Sequence, residues 1–183
     1  TSAVSLKQSK KQYHDAVLAL IEYPFDALYF TGFKSLDDVQ CALMGARAVY
    51  DGPVLISLMP NEEGMLSGGR TLSEGVAFCD EYGADVIGVV SDAPARVLVG
   101  FAKEMASSTD KPLLVDVSVR RKDRRQFEPT DENPYPTADA IVELAVRLRA
   151  QGVQFLRASG AATPAYTGAL LATVGGSDVV VPQ

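Results

Sequence analysis

The hydrophobic positions of this 183-residue chain form short apolar runs that alternate with amphipathic stretches. Three of the five predicted strands contain three or four consecutive apolar residues. Such runs are typical of strands buried on both faces, as in parallel sheets. The predicted strands are Asp26–Thr31, Pro53–Met59, Asp85–Val90, Pro112–Val119 and Gly152–Ser159.

A stretch with apolar residues at helical spacing follows each predicted strand. Strand and helix alternating five times predict an α/β fold with a parallel sheet, here a single domain over residues 1–183. One more helix, Tyr13–Tyr23, lies in the N-terminal region 1–24, and Asp178–Val181 fits a short extra strand. The helices that follow the strands are Ser35–Tyr50, Thr71–Tyr82, Pro94–Ser107, Thr137–Gln151 and Thr163–Val174.

Local signals mark several helix ends. Thr71 is followed three residues later by Glu74, the spacing of a capping box, and Ser35 has an acid at the same spacing. Gly83 and Gly152 come just after predicted helices, where a left-handed backbone conformation is common. These signals agree with the boundaries that the apolar pattern gives.

The segment Arg120–Pro136 is polar, contains prolines and directly follows the fourth predicted strand. In a β/α architecture this position lies at the C-terminal face of the sheet, where ligands bind. Its five basic residues suit the binding of an anion. The alternative is a solvated loop in which those residues pair with the loop's own acids.

Charge and composition narrow the classes of partner. With 17 basic and 23 acidic residues the net charge is 17 − 23 = −6, which argues against nucleic acid or an anionic membrane as the partner. No apolar run approaches the ~20 residues of a membrane span. Cys41 and Cys79 fall within predicted helices and indicate buried thiols of a reducing cytoplasm. The single histidine, His14, is predicted to be a surface residue.

Five segments, in order and with matching spacing, resemble the C-terminal part of the homocysteine S-methyltransferase family. GADVIGVVSDAP is similar to the family form GA–x–x–IGVNC, KPLLVDVSV to KPL–x–V–x–PN, and GVQFLRASGAATPAYTGAL to G–x–x–I–x–GGCCGTTP–x–H–I. The other two segments are DALYFTGFKSLDD and PVLISLMPNEEGMLSGGRTLSEGV. Together they cover residues 26–38, 53–76, 83–94, 111–119 and 152–170.

The resemblance implies a fold and an activity. It implies about strands four to eight of a TIM-type (β/α)8 barrel, either as a partial barrel or as an open parallel sheet with flanking helices, including a doubly wound one. It also implies methyl transfer to a thiol such as that of homocysteine, which the family activates on a zinc ion held by three cysteines.

The residues at the family's functional positions differ from the family pattern. Ser91 stands at the first zinc cysteine, and Ser159 and Gly160 stand at the cysteine pair. Serine hydroxyls are poor zinc ligands and glycine has no side-chain ligand. Thr31 replaces a glutamate that holds the substrate's ammonium group, and Ser118 replaces an asparagine. We therefore expect neither zinc nor another cofactor.

The candidate binding residues lie at, within or just after predicted strand ends, where this fold places its chemistry. For each serine and threonine the alternative role is a cap for the helix that follows. Asp116 and Arg157 lie within strands, where a charge needs a partner, and they can pair across the sheet. The candidates are Thr31, Ser57, Ser91, Asp92, Asp116, Ser118, Arg120 and Ser159.

Three hypotheses about function follow. The first is a methyltransferase-like protein without the zinc site that binds a small molecule at the C-terminal strand ends. The second is a non-catalytic assembly module, whose open sheet edges are covered by a second copy of the chain or by a corrinoid or methyltransferase subunit. The third is an active, metal-independent S-methyltransferase.

Overall fold

A computed structural model describes residues 3–122 and 125–177. Five of its strands form one parallel sheet in the order β1-β2-β5-β6-β7, and β3 and β4 form a separate antiparallel hairpin. The five strands of the large sheet confirm the five predicted strands, within two residues at each end. The strands are β1 (Leu28–Phe33), β2 (Val54–Leu58), β3 (Met65–Leu66), β4 (Arg70–Thr71), β5 (Val86–Ser91), β6 (Leu113–Val119) and β7 (Val153–Gly160).

The helices also follow the predicted order. The one predicted before the first strand begins ten residues earlier than expected, and the one over Thr137–Gln151 starts with a 3-10 turn at Ala138–Ile141. The predicted strand Asp178–Val181 lies outside the described residues. The helices are α1 (Ala3–Leu20), α2 (Leu36–Arg47), α3 (Leu72–Glu81), α4 (Ala95–Ala106), α5 (Val142–Ala150) and α6 (Pro164–Ser177).

The order of the strands explains the layering. The five strands of the large sheet are arranged in the order in which they occur in the chain, without a reversal. Because parallel crossovers are right-handed, an unreversed order places all the crossover helices on one face. The helices accordingly contact one another in sequence from α1 to α6. The sheet is therefore singly wound, as in a β/α barrel, and the expectation of a doubly wound sheet is wrong.

The face of the sheet that meets the helices forms the hydrophobic core. Ile56, Ile87, Val89 and Val115 point to this face and are fully buried. Cys41 and Cys79 are buried free thiols in α2 and α3, as predicted. None of the helices in residues 3–122 and 125–177 has the length and apolar character needed to cross a bilayer.

The opposite face is concave. Tyr29 on β1 and Asp116 on β6 lie three strands apart, which is about 14 Å in a flat sheet. The Tyr29 hydroxyl nevertheless lies 3.3 Å from Asp116 Oδ2. The intervening strand β5 contributes Gly88, which has no side chain, to this face. This contact indicates a sheet that curves toward this face, as the wall of a barrel does.

The capping box at the start of α3 is formed as predicted. The Glu74 N–H donates to Thr71 Oγ1 at 3.2 Å, and the Thr71 N–H donates to Glu74 Oε2 at 2.8 Å. Ser35 lies at the N-cap of α2 but makes no side-chain capping hydrogen bond, so the expectation there is wrong. Gly83 and Gly152 adopt φ of 85° and 86°, as their places after α3 and α5 require.

The difference between the two caps predicts a difference in stability. Thr71→Ala removes a formed cap and should lower the free energy of unfolding by about 1 kcal/mol. Ser35→Ala, the matched control, removes no capping bond and should change it by less than about 0.5 kcal/mol. Urea unfolding followed by circular dichroism measures both, and equal losses in the two variants would contradict the assignment.

Candidate functional site

A hydrogen-bonded network occupies the concave face of the sheet, and we call it the concave-face network. The Tyr29 hydroxyl lies 3.0 Å from Ser57 Oγ, and Ser57 Oγ donates to Thr31 Oγ1 at 3.0 Å. Tyr29 also donates to Asp116 Oδ2, which accepts a second bond from Arg157 Nη1. Three of the predicted site residues, Thr31, Ser57 and Asp116, therefore belong to one network whose side chains come from four strands.

Asp116 is the buried charge of this network. Its side chain is fully buried, whereas the Arg157 side chain is 48% exposed. The two residues are register partners on β6 and β7, so the predicted pairing across the sheet is confirmed. Asp116 Oδ1 is buried and has no hydrogen-bond partner among the described residues. Burial raises the pKa of Tyr29, so the phenol keeps its proton and donates to the carboxylate.

A cavity of about 510 Å³ opens at the C-terminal ends of β1, β2, β5 and β6, and we call it the strand-end cavity. The hairpin of β3 and β4 contributes one wall, which the sequence did not predict. The cavity combines a cation, a carboxylate, an amide and hydroxyls with methionine side chains. Its polar and apolar lining includes Lys34, Asn61, Met65, Ser91, Asp92 and Ser118.

Arg120 holds the carboxylate of this cavity. Its Nε donates to Asp92 Oδ2 at 2.6 Å, and its Nη1 donates to the Glu132 carbonyl. The hydrogen bond to Asp92 raises the pKa of Arg120 further, so the guanidinium group stays protonated under all ordinary conditions. Arg120 therefore joins the polar segment 120–136 to the strand-end cavity, although both partners of the ion pair are partly exposed.

The three predicted serines at the ends of β5, β6 and β7 do not all reach the strand-end cavity. Ser91 Oγ lines the strand-end cavity and also accepts the Ala93 N–H at 3.1 Å, which stabilises the turn after β5. Ser118 lines the same cavity, and Ser159 is its register partner on β7. Ser159 is absent from the described lining of that cavity. The structure thus brings Ser91, Asp92, Ser118 and Arg120 together.

Ser91, Ser159 and Gly160, which the sequence resemblance aligns with the family's zinc cysteines, carry no thiolate, imidazole or carboxylate. Gly160 has a φ of 68°, and a Cβ there would lie 2.5 Å from the Val119 carbonyl oxygen, so a cysteine would strain the backbone. Within the described residues, no group of three histidine, cysteine or acidic side chains is placed to hold a metal ion. Burial also raises the pKa of Cys79 to about 12, which keeps it a thiol.

Sequence reasoning missed the residues whose places depend on tertiary structure. Lys34, Asn61 and Met65 reach the strand-end cavity from loops and the short hairpin, which carry no periodic pattern. Tyr29 was detectable in principle, because it lies two residues before Thr31 and so shares its face of the strand. His14, predicted to be on the surface, is partly exposed on α1 beside Asp15.

Comparison with known proteins supports the fold. No family model and no curated protein sequence matches the chain. The crystal structure of the apo form of homocysteine methyltransferase MmuM from Escherichia coli superposes on it with a TM-score of 0.72 and 16% sequence identity. The superposition covers 92% of this chain and 57% of that one. The oxidized and metallated forms give TM-scores of 0.70 and 0.69, also at 16% identity, over 89% of this chain.

The chain thus spans a little more than half the length of these solved proteins. The three superpositions cover 57%, 52% and 51% of the MmuM chains. At 16% identity the likeness establishes the fold. The strand order, the curvature and the comparison together define the class: a partial parallel β/α barrel with a polar cavity at the C-terminal strand ends.

Proposed function

We propose that this chain is a homocysteine S-methyltransferase-like protein that binds a small polar molecule in the strand-end cavity without zinc. The observation that carries the proposal is the position of that cavity. It lies at the C-terminal ends of the parallel strands, where β/α barrels place their chemistry, and it contains three predicted site residues, Ser91, Asp92 and Ser118.

The charges in the cavity suit a ligand that carries both signs of charge. Lys34 offers an ammonium group to a carboxylate, and Asp92, whose Oδ2 accepts from Arg120, offers its other carboxylate oxygen to an ammonium group. Asn61 and the serine hydroxyls provide further hydrogen bonds, and Met59 and Met65 provide apolar contact. A cavity of about 510 Å³ is large enough for an amino acid with an apolar or thiol side chain.

The residues that the resemblance aligns with the zinc cysteines bear on the reaction. A free thiol has a pKa near ~8.5 and is mostly protonated at neutral pH. Neither Ser91 nor Gly160 supplies a thiolate or imidazole that would hold a metal against it. The proposal is therefore binding of an amino acid without the family's means of thiol activation.

Isothermal titration with L-homocysteine, with and without added zinc, tests the proposal on protein whose mass in solution is known. We expect binding that zinc changes by less than about threefold. Lys34→Gln should weaken it about tenfold, because a charged hydrogen bond to the carboxylate is lost. Lys103→Gln, an exposed charge on α4, is the matched control and should leave affinity unchanged.

Two results would overturn the proposal. Micromolar binding that requires zinc would restore a metal site and the standard enzyme. The absence of any heat from a folded protein would remove the small-molecule function and favour the assembly module. Tight zinc-independent binding followed by methyl transfer to the thiol would instead establish the metal-independent methyltransferase.

The assembly module is the second candidate, and the two sheet edges favour it. Within residues 3–122 and 125–177, no strand pairs with the outer edge of β1 or of β7. Large apolar side chains are exposed near both edges, including Tyr23 and Phe25 before β1 and the 43% exposed Phe155 on β7. A second copy of the chain, or a corrinoid or methyltransferase subunit, would cover such edges, and a mass in solution above that of one chain is the expected result.

A further inference from the structure

A second cavity, of about 690 Å³, lies at the C-terminal ends of β6 and β7, and we call it the loop cavity. It opens between the segment 120–136 and the start of α6. It shares no lining residue with the strand-end cavity, so a ligand there would be a separate one. Its polar lining comprises Arg120, Arg121, Lys122, Thr137, Thr163 and Tyr166.

The charge of the loop cavity is opposite to that of the protein as a whole. The chain has a net charge of −6, yet three consecutive cations, residues 120–122, line this cavity, and of these Arg120 is paired with Asp92. No acidic side chain is found among its described lining residues. Asp131, one of the acids expected to neutralise the loop, instead lies 3.6 Å from Arg96 on α4.

The walls of the cavity are fixed by buried hydrogen bonds. The Tyr135 hydroxyl donates to the Ala93 carbonyl at 2.9 Å, and the Tyr166 hydroxyl donates to the Tyr135 carbonyl at 2.9 Å. These bonds tie the end of the segment 120–136 to α6 and to the turn after β5. Arg120 is held by Asp92, so it presents a fixed cationic side chain to the cavity.

The position adds a second argument. In parallel β/α barrels, the loops after the last two strands frequently bind a phosphate group. The loop cavity lies after β6 and β7, the last two strands of the described sheet. Two threonine hydroxyls, on Thr137 and Thr163, lie on its wall and can donate to an oxyanion. Arginine and lysine side by side are the common pair for phosphate oxygens.

We infer that the loop cavity binds the phosphate group of a small phosphorylated molecule, with Arg121 and Lys122 as its main contacts. Both side chains are exposed, and Lys122 would leave its place over the Phe127 ring, 5.1 Å from the ring centroid, to reach a ligand. The inference does not depend on the proposed function, because neither residue lines the strand-end cavity.

Titration calorimetry of the full chain with inorganic phosphate and with glycerol 3-phosphate, at low and at moderate salt, tests the inference. We expect binding at about millimolar affinity or better, with the phosphomonoester at least as tight as free phosphate. The double variant Arg121→Gln/Lys122→Gln should weaken binding at least about tenfold. Lys7→Gln/Lys103→Gln removes the same net charge from exposed positions on α1 and α4 and should leave affinity within about twofold.

Equal weakening in both double variants would overturn the inference, because it would show attraction by net charge alone. Failure of folded wild-type protein to bind either probe would also overturn it. Tighter binding of free phosphate than of the ester would identify the ion itself as the ligand and overturn the assignment to a phosphorylated molecule. Homocysteine titration of the Arg121→Gln/Lys122→Gln variant separates this result from the proposed function, which predicts unchanged homocysteine binding there.

Discussion

Asp116→Ala should lower the free energy of unfolding by about 2–3 kcal/mol. Asp116 is fully buried and accepts hydrogen bonds from Tyr29 and Arg157, so its loss removes both bonds and leaves a gap on the concave face. Removing one partner of a buried ion pair typically costs about 3–5 kcal/mol. The figure here is lower because Arg157 is half exposed and water can solvate its guanidinium group. Urea unfolding measures the loss.

A compensating double variant sharpens this test. Asp116 Oδ1 is buried without a partner in the described structure, so the carboxylate retains part of its desolvation cost. Asp116→Leu/Arg157→Met removes the charge and its partner together and should recover at least half of the lost stability. Asp110→Ala, at an exposed position, serves as the control. A single variant Asp116→Ala as stable as this control would show that the network contributes nothing.

Gly88→Ala should cost about 3 kcal/mol or more, which makes it the most damaging small substitution that we predict. Gly88 lies in the central strand β5, and a Cβ there would sit 2.4 Å from the carbonyl oxygen of Leu114 on β6. That oxygen belongs to the backbone, so relief requires the two strands to separate or tilt. We expect a lower midpoint of thermal unfolding and a lower yield of soluble protein.

Gly100→Ala is the matched control for this substitution. Gly100 lies exposed within α4, and a Cβ there would have no neighbour within 4 Å. Because glycine is a poor helix former, alanine should raise the free energy of unfolding by about 0.5–1 kcal/mol. Opposite signs for the same chemical change would confirm that the close approach of β5 and β6 determines the effect, whereas similar signs would contradict it.

The sequence predicted the elements of this fold better than their arrangement. A continuous apolar run such as the one in β6 can be recognised in the sequence without knowing which strands lie beside it. The choice between a singly and a doubly wound sheet is not encoded in any one run, because it depends on which strand each crossover joins. The two-residue strands of the hairpin Met65–Thr71 are too short to show a period of two.

The sequence pattern did not predict the early start of α1, for a related reason. Residues 7–12 of the helix are all polar. The helix is stabilised by packing on α2 and by Tyr13, whose ring centroid lies 5.8 Å from that of Phe30. The start of this helix is therefore determined by packing against α2 rather than by an apolar repeat in its own sequence.

The candidate site was predicted only in part, because its partners come from distant segments. The strand-end rule located Ser91, Asp92 and Ser118 correctly at one end of the sheet. It did not separate them from Thr31 and Asp116, which face the concave side. The partner of Arg120 is Asp92, 28 residues earlier, and a loop composition alone favours pairing with nearer acids.

Arg120 lines the loop cavity while its guanidinium group neutralises Asp92 in the strand-end cavity. Arg120 therefore contributes to both cavities. A ligand that draws its guanidinium group toward one cavity would alter the electrostatic potential in the other. An anion that competes for Arg120 would release Asp92 to a cationic group, and by thermodynamic linkage the cationic ligand would strengthen anion binding by the same factor. If both cavities take the ligands proposed above, this one short ion pair would couple their binding reciprocally.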